Sequence, residues 1–419
     1  MVSRPLLAAL GVVIAIAVVV GALFLVVPAG PKVEEVRIGL LTPLTGPAAA
    51  FGNDMKAMAE LIAEQVNAQG GIRSLGGAKI RIITADTEGK PEVGRVQARR
   101  LITQEKVHIL IGALHSGVTL PVAEEAERAG IPLINDSSSL PDLTEKGFKW
   151  FFRTWGHDGI FAKNYFEFMQ YLKRKSGVNF QTLGLVAEET LFCQGVFDQW
   201  KRYNADPQLG GYKIVVEIRH PSAAADLTAE ALKLKLANPD VVLMCNTPAG
   251  DAILWMQTLK RVNFMPMALL TTGGFINPDY IKAMGRDGEY VFSREGWSPD
   301  LVARKPIAAK WEELFRQKTG RPMYVYPMTT HTAMTVAIKA LEKAGSVEPE
   351  KIREALRSLE VRGDEILPPW SGVKFDEKGQ NIYAMNFMVQ LIGGKYRIVW
   401  PEEFAVIEPV FPVPSWGPR

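Results

Sequence analysis

The chain has 419 residues, a length that allows two or three domains with buried cores. Its 48 basic and 45 acidic residues give a net charge of +3, which provides no polybasic surface and argues against a nucleic-acid-binding protein. With 47% hydrophobic and 22% charged residues, the composition is typical of a globular protein and excludes a largely disordered one.

An apolar segment stands near the N-terminus. Residues 6–27 are 22 residues without a charge, and as a helix they reach roughly 33 Å, about the thickness of a bilayer core. They are the one stretch long enough to do so, which excludes a polytopic membrane protein. Arg4 predicts a cytoplasmic N-terminus and an external remainder. We favour an uncleaved membrane anchor, and the alternative is a signal peptide cleaved before Gly30. Both interpretations predict an exported protein.

Residues 36–136 alternate between short apolar runs and helical patterns. Pro91 suits the first turn of a helix, and Gly70 suits a helix end. This repetition of β-α-β units predicts a parallel sheet with helices on both faces. The predicted strands are 36–43, 79–86, 107–114 and 131–136, and the predicted helices are 51–69, 91–105 and 118–129.

The pattern starts again after WFFRTW at 150–155, which predicts a second lobe. Its segment PDVVLMCNTPAG (239–250) resembles VHILIGALHSG (107–117) of the first half. Two doubly wound parallel-sheet lobes are therefore the simplest α/β architecture. The predicted strands are 182–189, 212–220, 240–246 and 267–273, and the predicted helices are 160–175, 196–203, 227–236 and 252–260.

The last third of the chain changes character. Helices are predicted at 307–318, 330–344 and 349–359, and strands at 373–376 and in a hairpin at 386–400. This part has no sheet of its own to complete, so we expect it to return to both lobes. The predicted division is 1–35 (anchor or signal segment and linker), 36–156 (N-terminal lobe), 157–293 (C-terminal lobe), 294–360 (return to the N-terminal lobe) and 361–419 (return to the C-terminal lobe).

Cys193 and Cys245 are the two cysteines of the chain. Two cysteines build neither a disulfide framework nor a cysteine zinc cluster. A bond between them requires Cα atoms within about 7 Å of each other. We favour two free, buried thiols, with pairing as the alternative.

Polar residues follow the apolar runs at the predicted strand ends. Ligands of open parallel sheets bind at the carboxyl ends of strands, near backbone N–H groups of helix starts. The alternative role of such residues is helix N-capping, but Ser137, Ser138 and Ser139 exceed what one cap needs. The aromatic residues near these strand ends have two alternative interpretations, as lining of a ligand cleft or as part of the core. The candidate ligand-binding residues are Thr45, Phe51, His115, Ser116, Ser137, Ser138, Ser139, Glu188, Phe192, Asn246, Thr247 and Gly273, with Trp155 as a further aromatic candidate.

Motifs of catalysis and metal binding are missing from the sequence. Ser116 lies between Leu114 and Val118, where a nucleophilic-serine elbow needs glycines. The five histidines lack the spacing of a helical metal site, and no P-loop or G-x-G-x-x-G motif occurs. We therefore predict no catalytic residue, no metal site and no cofactor. A carboxylate resting on the serine hydroxyls and the helix start after Ser116 fits the pattern.

Five segments together resemble a known family: VRIGLLTPLTGPAAAFGNDMKAMAELIAEQVNAQGGI (36–72), IRIITADTEGKPEVGRVQARRLITQEKVHILIGALHSG (80–117), IPLINDSSSLPDLT (131–144), FFRTW (151–155) and SGVKFDEKGQN (371–381). They are similar to the solute-binding proteins of branched-chain-amino-acid-type ABC importers. The resemblance implies a type I periplasmic-binding fold, in which two α/β lobes joined by three crossovers close on a ligand. It further implies an ABC permease as partner, and a periplasmic or cell-surface location.

The resemblance also assigns roles to single residues. Ser116, Ser137 and Ser139 match residues that hold the ligand α-carboxylate, Phe51 matches an aromatic cover, and Phe192 replaces a tyrosine. One departure concerns the ligand amine, because LTTGGF (270–275) lacks the family's glutamate. Either Glu188 or Asp136 replaces it, or the ligand is an aromatic or aliphatic acid without an amine.

The sequence therefore predicts an extracytoplasmic protein that captures an amino acid or related small carboxylate for an ABC permease. A membrane-tethered ligand-sensing module is the first alternative, and an enzyme such as an amidase is the second. We expect the hinge near Trp155, 294–297 and 360–363.

Overall fold

The computed structural model describes residues 33–417, so the predicted anchor at 6–27 lies outside the described residues. None of the helices within 33–417 combines the length and apolar character that a membrane span needs. The N-terminal lobe is built on a parallel sheet with the strand order β2-β1-β3-β4-β5. Its strands are β1 (Glu35–Thr42), β2 (Lys79–Asp86), β3 (Ile109–Gly112), β4 (Leu133–Asn135) and β5 (Phe151–Arg153).

Helices connect these strands as the β-α-β pattern predicts. Because both faces of a parallel sheet are covered, the central strand β3 is buried along its whole length. The longest helix begins at Ala49, and the third ends at Gly130, whose positive φ of 65° suits the left-handed helix stop. The helices are α1 (Ala49–Ala68), α2 (Pro91–Thr103), α3 (Ser116–Ala129) and α4 (Asp142–Glu145).

The C-terminal lobe contains a mixed sheet with the strand order β14-β13-β10-β9-β8-β6-β7. The strands from β10 to β7 are parallel, and the β13-β14 hairpin adds to them in antiparallel orientation. The strands are β6 (Thr182–Glu188), β7 (Lys213–His220), β8 (Val241–Asn246), β9 (Ala268–Gly273), β10 (Phe292–Glu295), β13 (Phe387–Ile392) and β14 (Lys395–Trp400). The helices are α5 (Asp158–Ser176), α6 (Leu191–Asn204), α7 (Thr228–Ala237), α8 (Ala249–Arg261) and α9 (Pro278–Met284).

The last third of the chain returns to both lobes. Its first helices, α10 (Pro306–Thr319) and α11 (Val325–Ala344), pack on α1 of the N-terminal lobe. Helix α12 (Pro349–Arg357) and a small antiparallel pair, β11 (Glu360–Arg362) and β12 (Gly372–Lys374), follow. The hairpin then extends the sheet of the C-terminal lobe, so this part does complete an existing sheet. Strands β5 and β10 were not predicted, because each has only three or four residues and lies in a crossover.

Three crossovers connect the lobes, as the type I periplasmic-binding fold requires. The first follows β5 and the second follows β10. The third lies between Asn381 and β13, later than the predicted 360–363, because Lys305 on the N-terminal-lobe side donates to the backbone carbonyls of Gly363, Ile366 and Pro368. The first and third crossovers are paired, since the Arg153 N–H donates to the Gly379 carbonyl and the Asn381 N–H donates to the Arg153 carbonyl.

The cysteines form a disulfide, so the interpretation as free thiols is wrong. Cys193 lies in the first turn of α6 and Cys245 on β8, with their Cα atoms 5.5 Å apart and both side chains fully buried. The sequence left this open because the two residues meet only once α6 packs on the sheet. The bond ties that helix to the central strands of the C-terminal lobe.

Removing the disulfide should destabilise the C-terminal lobe. For a sequence separation of 52 residues, the loss of chain constraint predicts a free energy of unfolding lower by about 4 kcal/mol. We expect the Cys193→Ala and Cys245→Ala double variant to unfold at lower urea concentration than the wild type, as followed by circular dichroism. The wild type in reductant serves as control and should match the variant. Two free thiols in unreduced, denatured wild type would contradict the bond.

Candidate functional site

A cleft that is partly open to solvent lies between the lobes. Because parallel strands of both sheets end at the cleft, the segments after β3, β4, β8 and β9 line it, together with the first turns of α3, α6 and α11. The lining residues are Leu114, His115, Ser116, Ser137, Ser138, Ser139, Trp155, Phe192, Thr247, Thr272, Gly273, Ile276, Arg294, Val325, Tyr326 and Thr329.

Most of the predicted binding residues are brought together here. They are His115, Ser116, Ser137, Ser138, Ser139, Phe192, Thr247 and Gly273, and the aromatic candidate Trp155 joins them. Gly273 has a positive φ of 70°, and a Cβ there would lie 1.6 Å from the Asn246 carbonyl oxygen. Glycine at this position therefore lets the end of β9 approach the end of β8 at the cleft.

Four predicted residues do not line the cleft. Thr45 is exposed and donates to Asp86 Oδ2 at 2.7 Å. Phe51 is buried with its ring centroid 4.6 Å from that of Tyr326, the aromatic that does face the cleft. Glu188 is buried and accepts the Thr247 backbone N–H at 2.6 Å, and Asn246 is fully buried at the end of β8. Successive residues of a strand point to opposite sides, so Thr247 faces the cleft while its neighbour does not.

The hydroxyl protons of Ser137 and Ser138 are engaged in hydrogen bonds, whereas that of Ser116 is not. Ser137 Oγ donates to Asp136 Oδ1 at 2.8 Å, and Ser138 Oγ donates to the Leu114 carbonyl at 2.9 Å. Among residues 33–417, the buried hydroxyls of Ser116 and Thr247 lack a hydrogen-bond partner. Ser116 begins α3, where the helix dipole places partial positive charge. One hydroxyl from each lobe is therefore free to donate to an anion.

Arg294 is the charged side chain of the cleft lining, and the sequence analysis missed it as a binding residue. Only 7% of it is exposed, its guanidinium lies 3.9 Å from the Phe161 ring centroid, and its Nη2 lies 3.9 Å from Asp158 Oδ1. Its Nε has no hydrogen-bond partner within 33–417. The signal available in the sequence was an arginine between the large apolar residues Phe292 and Trp297 in VFSREGW (291–297).

Burial shifts the pKa values of Asp136 and Asp158 near the cleft and of His115 in its lining. Burial raises the pKa of Asp136 to about 6, although Ser137 and Thr330 donate hydrogen bonds to its carboxylate. Burial likewise raises the pKa of Asp158 to about 6, against the opposing charge of Arg294. Burial lowers the pKa of His115 to about 4, so this imidazole is neutral at neutral pH. Neither Asp136 nor Asp158 lines the cleft.

The cleft is chemically suited to binding an anion with an apolar body. Arg294, the Ser116 hydroxyl and the start of α3 provide positive charge and donors, and Trp155 and Tyr326 provide aromatic surface. Groups of three or more His, Cys, Asp or Glu residues suited to a metal ion are absent from residues 33–417.

A separate ion-pair cluster joins the two lobes. Arg321 Nε lies 3.2 Å from Asp54 Oδ2 on α1, and its Nη1 lies 3.3 Å from Asp279 Oδ1 on α9. The Tyr324 hydroxyl also donates to Asp54, at 3.0 Å. Because α1 belongs to the N-terminal lobe and α9 to the C-terminal lobe, the Arg321–Asp279 pair forms only when the lobes are close.

The fold and the interlobe cleft define a two-lobed ligand-binding protein. The family model described as "Periplasmic binding protein" matches residues 35–395. The chain therefore belongs to this family, and the predicted resemblance to branched-chain-amino-acid-type solute-binding proteins is confirmed.

The relatives and solved structures agree with this assignment. Leu/Ile/Val-binding protein homolog 7 of Brucella abortus is 25% identical over 388 residues, which cover 91% of this chain and 95% of the relative. The substrate binding protein LivJ of Streptococcus pneumoniae, solved with isoleucine, has a TM-score of 0.74 at 18% identity and covers 87% of this chain and 98% of its own. A solute binding protein of R. palustris, solved with benzoate, has a TM-score of 0.74 at 19% identity, with coverages of 87% and 95%. At these identities the two structures establish the fold.

The free hydroxyl proton makes Ser116 more important than Ser137 for anion binding. We expect Ser116→Ala to weaken carboxylate binding by about 1.5 to 3 kcal/mol, the usual value of a hydrogen bond to a charged group. Ser137→Ala, the matched control, should cost under about 0.5 kcal/mol, because its proton is committed to Asp136. Calorimetric titration of both variants with the carboxylate that most stabilises the wild type measures this. An equal loss in both variants would contradict the assignment.

Breaking the interlobe pair should favour the open form. Asp279→Asn removes the partner of Arg321 on the C-terminal lobe and keeps the pair with Asp54. Since a partly exposed pair is worth up to about 1 kcal/mol, the open-to-closed ratio should rise up to about fivefold. Small-angle X-ray scattering of the ligand-free variant should show a larger radius of gyration. Asp287→Asn breaks a pair with Lys260 inside one lobe and should leave the radius unchanged.

Proposed function

We propose that this protein is the extracytoplasmic solute-binding component of an ABC importer. In this role it captures a small carboxylate-bearing solute between its lobes and delivers it to a membrane permease. The observation that carries the proposal is the interlobe cleft, which presents free hydroxyl donors of Ser116 and Thr247 from opposite lobes. A solute held by both lobes favours the closed form, because a ligand shifts such an equilibrium by its differential affinity for the two states.

The comparisons with known proteins support the solute-binding part of this role. The matched family is one of binding proteins, and the curated relative is named as a Leu/Ile/Val-binding protein homolog. The family also supports an extracytoplasmic location. The uncharged segment 6–27 supports a membrane tether, which keeps the protein close to a permease. The same segment fits equally well the second candidate, a tethered module that senses its ligand and signals through a receptor.

The proposal predicts that a small carboxylate co-purifies with the protein and is released from it chemically unchanged. Denaturing the purified protein and analysing the released molecules by mass spectrometry identifies the solute. A thermal-shift screen of amino acids and organic acids should then show stabilisation that grows with ligand concentration. Conversion of the recovered ligand would instead indicate an enzyme. The absence of any stabilising carboxylate would refute the proposal.

A cellular test separates import from sensing. We expect a deletion of this gene to abolish uptake of the labelled solute, and reintroduction of the full chain to restore it. Unimpaired uptake together with loss of a transcriptional response would favour the sensing module.

A further inference from the structure

We infer that the solute is a carboxylic acid without an amine, and that Arg294 is the residue that determines this specificity. The inference rests on the proposed function and names the substrate class of the same cleft. It predicts an apolar aliphatic or aromatic body beyond the carboxylate.

The first argument is the sign of the charge inside the cleft. Arg294 lines the cleft with 93% of its surface buried, and its Nε lacks a hydrogen-bond partner within residues 33–417. A buried, incompletely paired guanidinium is costly, and a carboxylate is the group whose geometry satisfies it best. The 3.9 Å separation of Arg294 and Asp158 leaves donors of Arg294 for a second acceptor.

The second argument is that Arg294 lies beside the predicted carboxylate subsite. Asp158, the ion-pair partner of Arg294, donates its backbone N–H to the Ser139 carbonyl at 2.8 Å. Ser139 and Ser116 belong to the same cleft lining. The same cleft lining therefore holds hydroxyls of the N-terminal lobe and the guanidinium of the second crossover, and a carboxylate accepts from both kinds of donor.

The third argument concerns an amine. An ammonium buried between the lobes needs a carboxylate partner, because an unpaired buried charge is strongly unfavourable. The described lining residues include no aspartate or glutamate. The two predicted substitutes lie outside the cleft lining. Asp136 accepts from Ser137 and Thr330, and Glu188 accepts the Thr247 backbone N–H through Oε2. Arg294 would in addition repel the ammonium.

The fourth argument is the rest of the lining. Trp155, Phe192 and Tyr326 provide aromatic surface, and Leu114, Ile276 and Val325 provide aliphatic surface. The lining therefore combines donors for a charged group with apolar surface for the body of the solute. The solved neighbour with benzoate shows that this fold accommodates such a molecule in another protein.

The inference is tested with ligand pairs that differ only by the α-amine. The pairs are 4-methylpentanoate against leucine and 3-phenylpropanoate against phenylalanine, with benzoate as an additional acid, all measured by calorimetry on the full-length wild type. We expect at least tenfold tighter binding of the amine-free member in the pair whose body fits. The neutral amide 4-methylpentanamide should bind at least tenfold more weakly than 4-methylpentanoate.

Variants of the arginine provide the second readout. Arg294→Gln should weaken binding of the preferred acid about 10- to 100-fold while leaving the weak binding of the amide unchanged. Arg294→Lys should retain part of the affinity because it keeps the charge. The control Arg304→Gln changes an exposed arginine outside the cleft and should bind as the wild type does. The ligand pairs need no variant, so they remain decisive even where Arg294→Gln does not fold.

Tighter binding of the amino acids would overturn this inference and leave carboxylate capture intact. An equal loss of acid and amide binding in Arg294→Gln would also overturn it, because the arginine would then serve the structure only. Failure of every carboxylate to bind would refute the proposed function and the inference together.

Discussion

The buried guanidinium of Arg153 holds the hinge on which the interlobe geometry depends. Its donors reach the Leu140 carbonyl at 2.7 Å, the Thr144 hydroxyl at 2.8 Å and Gln380 Oε1 at 2.7 Å. Burial lowers the pKa of Arg153 to about 10, so it stays charged at neutral pH and all of these bonds are charge-assisted. Leaving such a charge without partners is strongly unfavourable. The segments that lead into the first and third crossovers are therefore fixed to each other through Arg153 and Gln380.

Around that fixed hinge, the lobes differ in what makes them rigid. The disulfide between Cys193 and Cys245 joins α6 to β8 within the C-terminal lobe, so the element that carries Phe192 moves with its sheet. Between the lobes, the ion pair of Arg321 and Asp279 is a partly exposed contact. A rigid C-terminal lobe and a partly exposed ion pair between the lobes suit rigid-body opening, with ligand binding favouring closure.

Fold and specificity are separate properties in this molecule. The same architecture is found in a protein solved with isoleucine and in one solved with benzoate, both under 20% identical to this chain. The sheets and helices position strand ends at a cleft whatever their side chains. Which solute fits is decided by a few lining residues, which here include Arg294 and no acid among those described.

The sequence by itself determined the alternation of strands and helices, both lobes, and the strand-end polar residues such as Ser116 and Thr247. Hydrophobic periodicity and helix-start chemistry are local properties, readable within about ten residues. Tertiary structure alone decided that Tyr326 and not Phe51 faces the cleft, because α11 begins at Val325, five residues before the predicted start. It also decided the Cys193–Cys245 bond and the place of Arg294. These features join segments far apart in the chain, and no local pattern records which distant segments meet.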